Sequence, residues 1–239
     1  NRLNSVVNIK IGDIDFDNDT DIDANGVVNG RDMTLRKTKL TVDESTINTN
    51  IVNGSENEVY KFIVKAADAE DVAIKTMKFS VGLTDNGVSQ TLLADGWKLY
   101  RNGSDITSLV AMVDNDGNIV SGTNAIEEDD TFLTLTFTSE EVVAKGSSNV
   151  YSLRATLTGY TAGSEDDAIT VKLNGDSLAD LDNNTAGTQN TLTIAGINAN
   201  DNFVWSDMSS TSHNPASSAD WTNSYQIKNL PFSGKTMTN

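Results

Sequence analysis

Apolar residues return at every second position along much of this chain, and that period fixes the kind of structure it builds. In EVYKFIV, Tyr60, Phe62 and Val64 fall on one face; in IKTMKFSV, Met77, Phe79 and Val81 do. FLTLTFT sets Leu133, Leu135 and Phe137 against Thr134 and Thr136. VYSLRATL aligns Tyr151, Leu153, Ala155 and Leu157, and AITVKL aligns Ile169, Val171 and Leu173. A period of two is the mark of a strand with one buried and one solvated face. Thr, Lys and Ser on the second face suit water.

Between these runs stand NGS at 53–55, DNG at 85–87, RNGS at 101–104 and DNDGN at 114–118. Gly, Asn and Asp supply the backbone angles of tight turns. One stretch, SEEVVAKG, reads as a short helix capped by Ser139 and stopped by Gly146. The pattern predicts an all-β chain, an antiparallel immunoglobulin-like β-sandwich over residues 38–197 with roughly seven to ten strands. Two flanks differ from it: an acidic segment, 1–37, and a tail, 198–239, which holds both prolines, the single histidine and two of the three tryptophans. The tail is expected to be a terminal hairpin docked on the sandwich or a connector.

Charge narrows the partners. Lys and Arg number 17 against 34 Asp and Glu, a formal net charge of −17. Phosphate backbones and anionic lipid surfaces both require a basic face, so nucleic acid and such membranes are excluded as partners. No apolar run reaches the roughly 18 residues that a membrane helix needs, and no signal peptide is visible in a sequence that begins with Asn1. There is no Cys, so a metal site here would use oxygen ligands.

Such a set exists in the first flank. An EF-hand loop places oxygen ligands at positions 1, 3, 5, 7, 9 and 12 and Gly at 6. Counting from Asp21, these are Asp23, Asn25, the carbonyl of Val27, Asn29 and Asp32, with Gly26 at the sharp turn and apolar Val28 beside it. Asp32 stands where Glu is usual, and its shorter arm weakens bidentate binding. Upstream, Asp13, Asp15, Asp17 and Asp19 alternate as further candidate ligands. The frame from Asp13 is poorer, with Asn18 at the glycine position and Ala24 at the last. An acidic run is ordinarily a solvated leader, but this register argues for Ca²⁺.

The stretch DIDANGVVNGRDMTLRK resembles the calcium loop of a dockerin repeat. That resemblance implies Ca²⁺ held by Asp21, Asp23, Asn25, Asn29 and Asp32. It covers residues 21–37, with one repeat where a dockerin has two, and RKTKLTV then continues as a strand. A second resemblance is broader. TKLTVDES, VNGSENEVYKFIVKAADAEDVAIKTMKFSV, EEVVAKGSSNVYSLRATL and FVWSDMSS…ADWTNSYQIKNLP look like the repeated units of large secreted bacterial cell-surface proteins. It implies immunoglobulin-like modules displayed outside the cell and assembling into a surface layer.

Other features carry less. VDNDGNIV at 113–120 lacks a ligand at position 12, which is Ala125, and reads as a hairpin turn. EEDD at 127–130 and SEDD at 164–167 read as loop charges. Trp97, Trp205 and Trp221 with Tyr100 and Tyr225 are candidates for a sugar platform; Trp205 alternates with Phe203 and is expected to be buried, which leaves Trp221. His213, in SSTSHNPASS, has no nucleophile motif around it and reads as a loop residue. Lysines and asparagines on strands also leave room for a Lys–Asn isopeptide bond.

The expectation is therefore a non-enzymatic extracellular structural protein, a calcium-stabilised building block of a bacterial surface layer or filament. It would self-associate through edge strands or terminal segments, including 1–12, where Val7, Ile9 and Ile11 alternate. The alternative is an adhesin or carbohydrate-binding module with a glycan ligand.

Overall fold

The computed structural model describes residues 36–86, 91–120, 124–128, 130–160, 167–177, 200–225 and 227–239. Alternation becomes two antiparallel sheets. The first contains β1 (Leu40–Glu44), β2 (Ser55–Ala66), β4 (Leu93–Arg101), β5 (Ser104–Asp105) and β8 (Ser148–Thr158), in the order β1-β2-β8-β4-β5. The second is built around β3 (Val72–Thr84). One edge of β3 carries β7 (Phe132–Val143), which is followed by β6 (Val110–Val113). Its other edge is shared: Ala73–Met77 pairs with β10 (Phe203–Ser206), and Phe79–Thr84 with β9 (Ala168–Leu173). Outside these lie β11 (Trp221–Asn223) on β10 and β12 (Lys235–Thr238) on β9.

The predicted inward residues form the core. Tyr60, Phe62, Met77, Phe79, Leu133, Leu135, Tyr151, Leu153, Ile169 and Val171 are all buried in one cluster spanning both sheets. Tyr60 of β2 meets Phe79 of β3 edge-on at 5.7 Å between ring centres, and Phe62 stacks on Tyr151 at 5.2 Å. Burial of such rings contributes about 1.5–3 kcal/mol each, and with it the two sheets are held face to face as an antiparallel β-sandwich.

The helix expected at SEEVVAKG is not formed. Residues 139–143 belong to β7, and Ala144–Ser147 make the turn into β8, closed by Ser147 N–H to the Ala144 carbonyl at 2.9 Å. Gly146, at φ +68°, serves the turn and stops no helix. The reason lies in pairing: Val142 and Val143 match Ala73 and Val72, and β-branched side chains suit that ladder. Just before them β7 bulges. The register jumps from Ile74↔Glu141 to Thr76↔Thr136, so Phe137–Glu140 face Lys75 alone. The buried Lys75 amine donates into the bulge, to the carbonyls of Thr138 (3.2 Å) and Ser139.

The strands give the molecule two ends. The 13 residues of β3 at about 3.3 Å each span about 40 Å. Arg36 and Lys37 sit where β3 begins. Lys37 N–H donates to Asp207 at 2.7 Å, Arg36 donates to Thr222 at 3.0 Å, and the Arg36 guanidinium lies 4.9 Å from the Trp205 ring. Asn239 sits where β3 finishes, its side-chain carbonyl accepting from Asp167 N–H at 2.9 Å beside the Ala168↔Thr84 pair. Arg36 and Asn239 thus lie at opposite ends of β3.

Candidate functional site

The predicted calcium ligands Asp21, Asp23, Asn25, Val27, Asn29 and Asp32, and the weaker Asp13, Asp15, Asp17 and Asp19, lie outside the described residues, as does segment 1–12. Among the described residues, no three acidic or histidine side chains gather in a metal-holding group. What is described is the anchorage just downstream. Arg36, Lys37 and Lys39 line a cleft with Leu40, Trp205 and Ile227, between β1 and the β10–β11 pair. Lys37 also pairs with Glu70.

Two polar clusters fasten the tail to the sandwich. The first centres on Asp176, buried just after β9. Its Oδ1 accepts Asn202 N–H at 2.6 Å; its Oδ2 accepts Phe203 N–H at 3.2 Å, Ser224 N–H at 2.9 Å and the Ser224 hydroxyl at 2.7 Å. A carboxylate offers about four lone-pair directions, and here they serve donors from the start of β10 and the end of β11. Next to it Gly175 lies so close to Leu230 that an added Cβ would come within 2.7 Å of the leucine side chain.

The second centres on His213, in the long loop between β10 and β11. Nδ1 lies 2.9 Å from Asp220 Oδ2, and Nε2 lies 2.8 Å from Glu140 Oε2, on the β7 bulge. Ser218 donates its hydroxyl to the other Asp220 oxygen, and Ser210 N–H reaches Asp220 Oδ2 at 3.2 Å. The imidazole lies 5.3 Å from the Trp221 ring, whose Nε1–H donates to the Asn214 carbonyl at 2.9 Å. The side chain of His213 is 11% exposed and that of Asp220 0%. Burial alone pushes the imidazole pKa down, but the hydrogen bonds and charges of Glu140 and Asp220 outweigh it and raise it above the ordinary value. Burial pushes Asp220 up, and its hydrogen bonds to Ser218, Ser210 and His213 outweigh that and lower it. Sequence reading took His213 for a plain loop residue. Asp220 stands seven positions away and Glu140 seventy-three, so no spacing motif links them; only the pairing of β10 and β7 onto β3 does.

A third cluster joins the sheets. Arg101 Nη1 donates to both Glu141 oxygens at 2.9 Å, and Tyr151 donates its hydroxyl to Glu141 Oε1 at 2.8 Å. Glu141 is buried, with Arg101 and Tyr151 reaching it from the opposite sheet.

The sugar platform is not assembled. Trp97, Trp205 and Trp221 are all buried. Trp221 was the outward candidate; instead its ring packs on Ala73 and Val204 beneath Met208. Tyr100 is covered by Arg154, 4.3 Å from its ring centre, and Tyr225 is 37% exposed. DNDGN is the turn expected of it, with Asp114 Oδ1 accepting the N–H groups of Asp116 and Asn118 at 2.9 and 2.8 Å. In EEDD, Asp130 accepts Glu127 N–H at 2.9 Å.

No family model matches the chain, and no curated protein matches it in sequence. Among solved structures it is similar to the pilus backbone RrgB from Streptococcus pneumoniae, at 16% identity over 63% of this chain and 55% of that one, with a TM-score of 0.28. It is also similar to AvmM, which catalyses macrocyclization in alchivemycin A biosynthesis, at 7% identity over 83% and 87%, with a TM-score of 0.25. The chain thus spans about half the length of the pilus structure.

Proposed function

We propose that this chain is a non-enzymatic extracellular structural module, a calcium-stabilised building block of a bacterial surface layer or filament that associates with further copies of itself. The observation that carries this reading is the difference between the two ends of the body, about 40 Å apart along β3: Arg36 stacked on Trp205 and bonded to Thr222 at one, the Asp167 and Asn239 pairing at the other, so that copies stacked on these unlike ends would extend a line. A contact between unlike ends repeats head to tail and gives an open filament wherever its rotation does not close into a ring. The short outer strands β1, β5 and β11 leave backbone edges for lateral contact among the described residues, whereas β6 and β12 are partly covered by residues 119–120 and 49–51.

In this reading the calcium loop is the segment that precedes Arg36 in sequence. Asp32 precedes Arg36 by only four positions, and Arg36 and Lys37 are pinned to β10, β11 and the loop between them. An ion held by Asp21, Asp23, Asn25, Asn29 and Asp32 would offset part of the −17 charge. Binding to the folded state alone stabilises by about 2.7 kcal/mol at a hundredfold excess over Kd. Melting the whole chain in calcium and in excess chelator tests this, with a lower Tm expected in chelator and in Asp21→Ala/Asp23→Ala. Equal Tm values would remove calcium from the account. Sedimentation velocity tests assembly separately: growing species are expected as protein and calcium rise.

A further inference from the structure

The outer face of the second sheet is covered, near the start of β3, by the loop that joins β10 to β11. Val204 and Ala73 lie beneath Trp221 and Met208. The loop is closed by the contacts of His213, which reaches Glu140 on the β7 bulge from one ring nitrogen and Asp220 from the other, at 2.8 and 2.9 Å. A carboxylate oxygen accepts; it has no proton to give. The Ser218 hydroxyl also lies 3.2 Å from Nδ1, but its proton goes to Asp220 Oδ1; an imidazole with a carboxylate at each nitrogen then donates from both, which only the protonated ring does.

We propose that His213 is a proton-operated clasp: protonated, it ties the β10–β11 loop to the β7 bulge through Glu140 and Asp220; neutral, it releases one of them and the loop loosens from the sheet. Loss of the proton leaves one nitrogen lone pair facing a carboxylate oxygen at hydrogen-bond distance, a repulsive contact in a nearly dry site. Glu140 is the partner that lets go. Asp220 is retained by the Ser218 hydroxyl and Ser210 N–H, at the turn that leads into β11. Glu140 lies on a bulge whose backbone carbonyls are held by Lys75 from β3, and the Lys75 charge faces Glu140. The charged groups around the ring are therefore Glu140 from β7, Lys75 behind it from β3, and Asp220 from the loop itself; Trp221 supplies the apolar wall.

The direction follows from the raised imidazole. The clasp is fully closed below the ordinary histidine value of 6.5 and opens as pH rises through the higher folded value. At the acid end it fails as pH falls through the lowered value of Asp220. This inference does not depend on the surface-layer reading.

His213 is the single histidine of the chain, so its ring can be followed without ambiguity. Nitrogen NMR of the whole chain should find both ring nitrogens protonated below about pH 6 and a midpoint above about 6.5. Amide exchange of residues 207–220, corrected for intrinsic rate, should accelerate at least tenfold from about pH 6 to about pH 9 while the β2 and β8 amides keep their protection. Glu140→Gln should lower the ring's midpoint, and His213→Gln should abolish the pH dependence of the loop. If a variant fails to fold, the wild-type NMR and exchange profile still decide. A midpoint at or below about 6.5, or loop protection that does not change with pH, overturns the clasp.

Discussion

Asp176 and His213 both fasten the tail to the sandwich, and they do it with different chemistry. Asp176 gathers three backbone N–H groups and a serine hydroxyl, none of which gains or loses a proton between about pH 6 and pH 9. His213 holds two carboxylates through protons that do come and go in that range. One attachment is permanent and the other conditional, although both act on the same short strands. A tail strand can thus be built firmly into a sheet while the loop beyond it stays responsive.

The largest effect should come from the permanent attachment. Asp176→Ala strands several buried donors, each worth about 1–3 kcal/mol, so denaturant unfolding should show a loss of about 3 kcal/mol or more, the same at pH 6 and pH 9. Glu141→Ala removes the acceptor from Arg101 and Tyr151 and should cost about 3 kcal/mol. It sharpens the comparison because the loss should fall on the contact between sheets and leave exchange in 207–220 unchanged. His213→Gln should cost less, about 1–2 kcal/mol at pH 6, and progressively less as pH rises through the raised value of the imidazole, where the wild-type clasp opens. Arg36→Ala removes an exposed-edge cation from the Trp205 face and should cost about 0.5–1 kcal/mol. A pH-dependent loss in Asp176→Ala, or a pH-independent one in His213→Gln, would erase the distinction.

The long strands were legible because each has one wet face. Tyr60, Phe62, Phe79, Leu133, Tyr151 and Val171 alternate with Lys, Thr and Ser, and all are buried. The tail strands were harder to read. β10, Phe203–Ser206, is buried at all four positions because the core takes one face and the His213 loop covers the other, so the period of two vanishes. At β7 the bulge opposite Lys75 broke the alternation after Phe137, and the polar run that resulted read as a helix start. Trp221 stands among Asp, Thr and Asn, which gave no sign that the loop folds over it. The register from Asp21 to Asp32 is an expectation written along the chain and lies outside the described residues; the meeting of Arg36 with Trp205 and Thr222 could not be read there, because only the fold brings them together.

The central claim is that this body is a unit for end-to-end assembly. Electron microscopy of the whole chain, at high protein concentration with calcium added stepwise, tests it most directly. Filaments or sheets are expected whose repeat along one axis is at least the roughly 40 Å spanned by β3, dispersing in chelator. Isolated particles that persist at every calcium and protein concentration would contradict it.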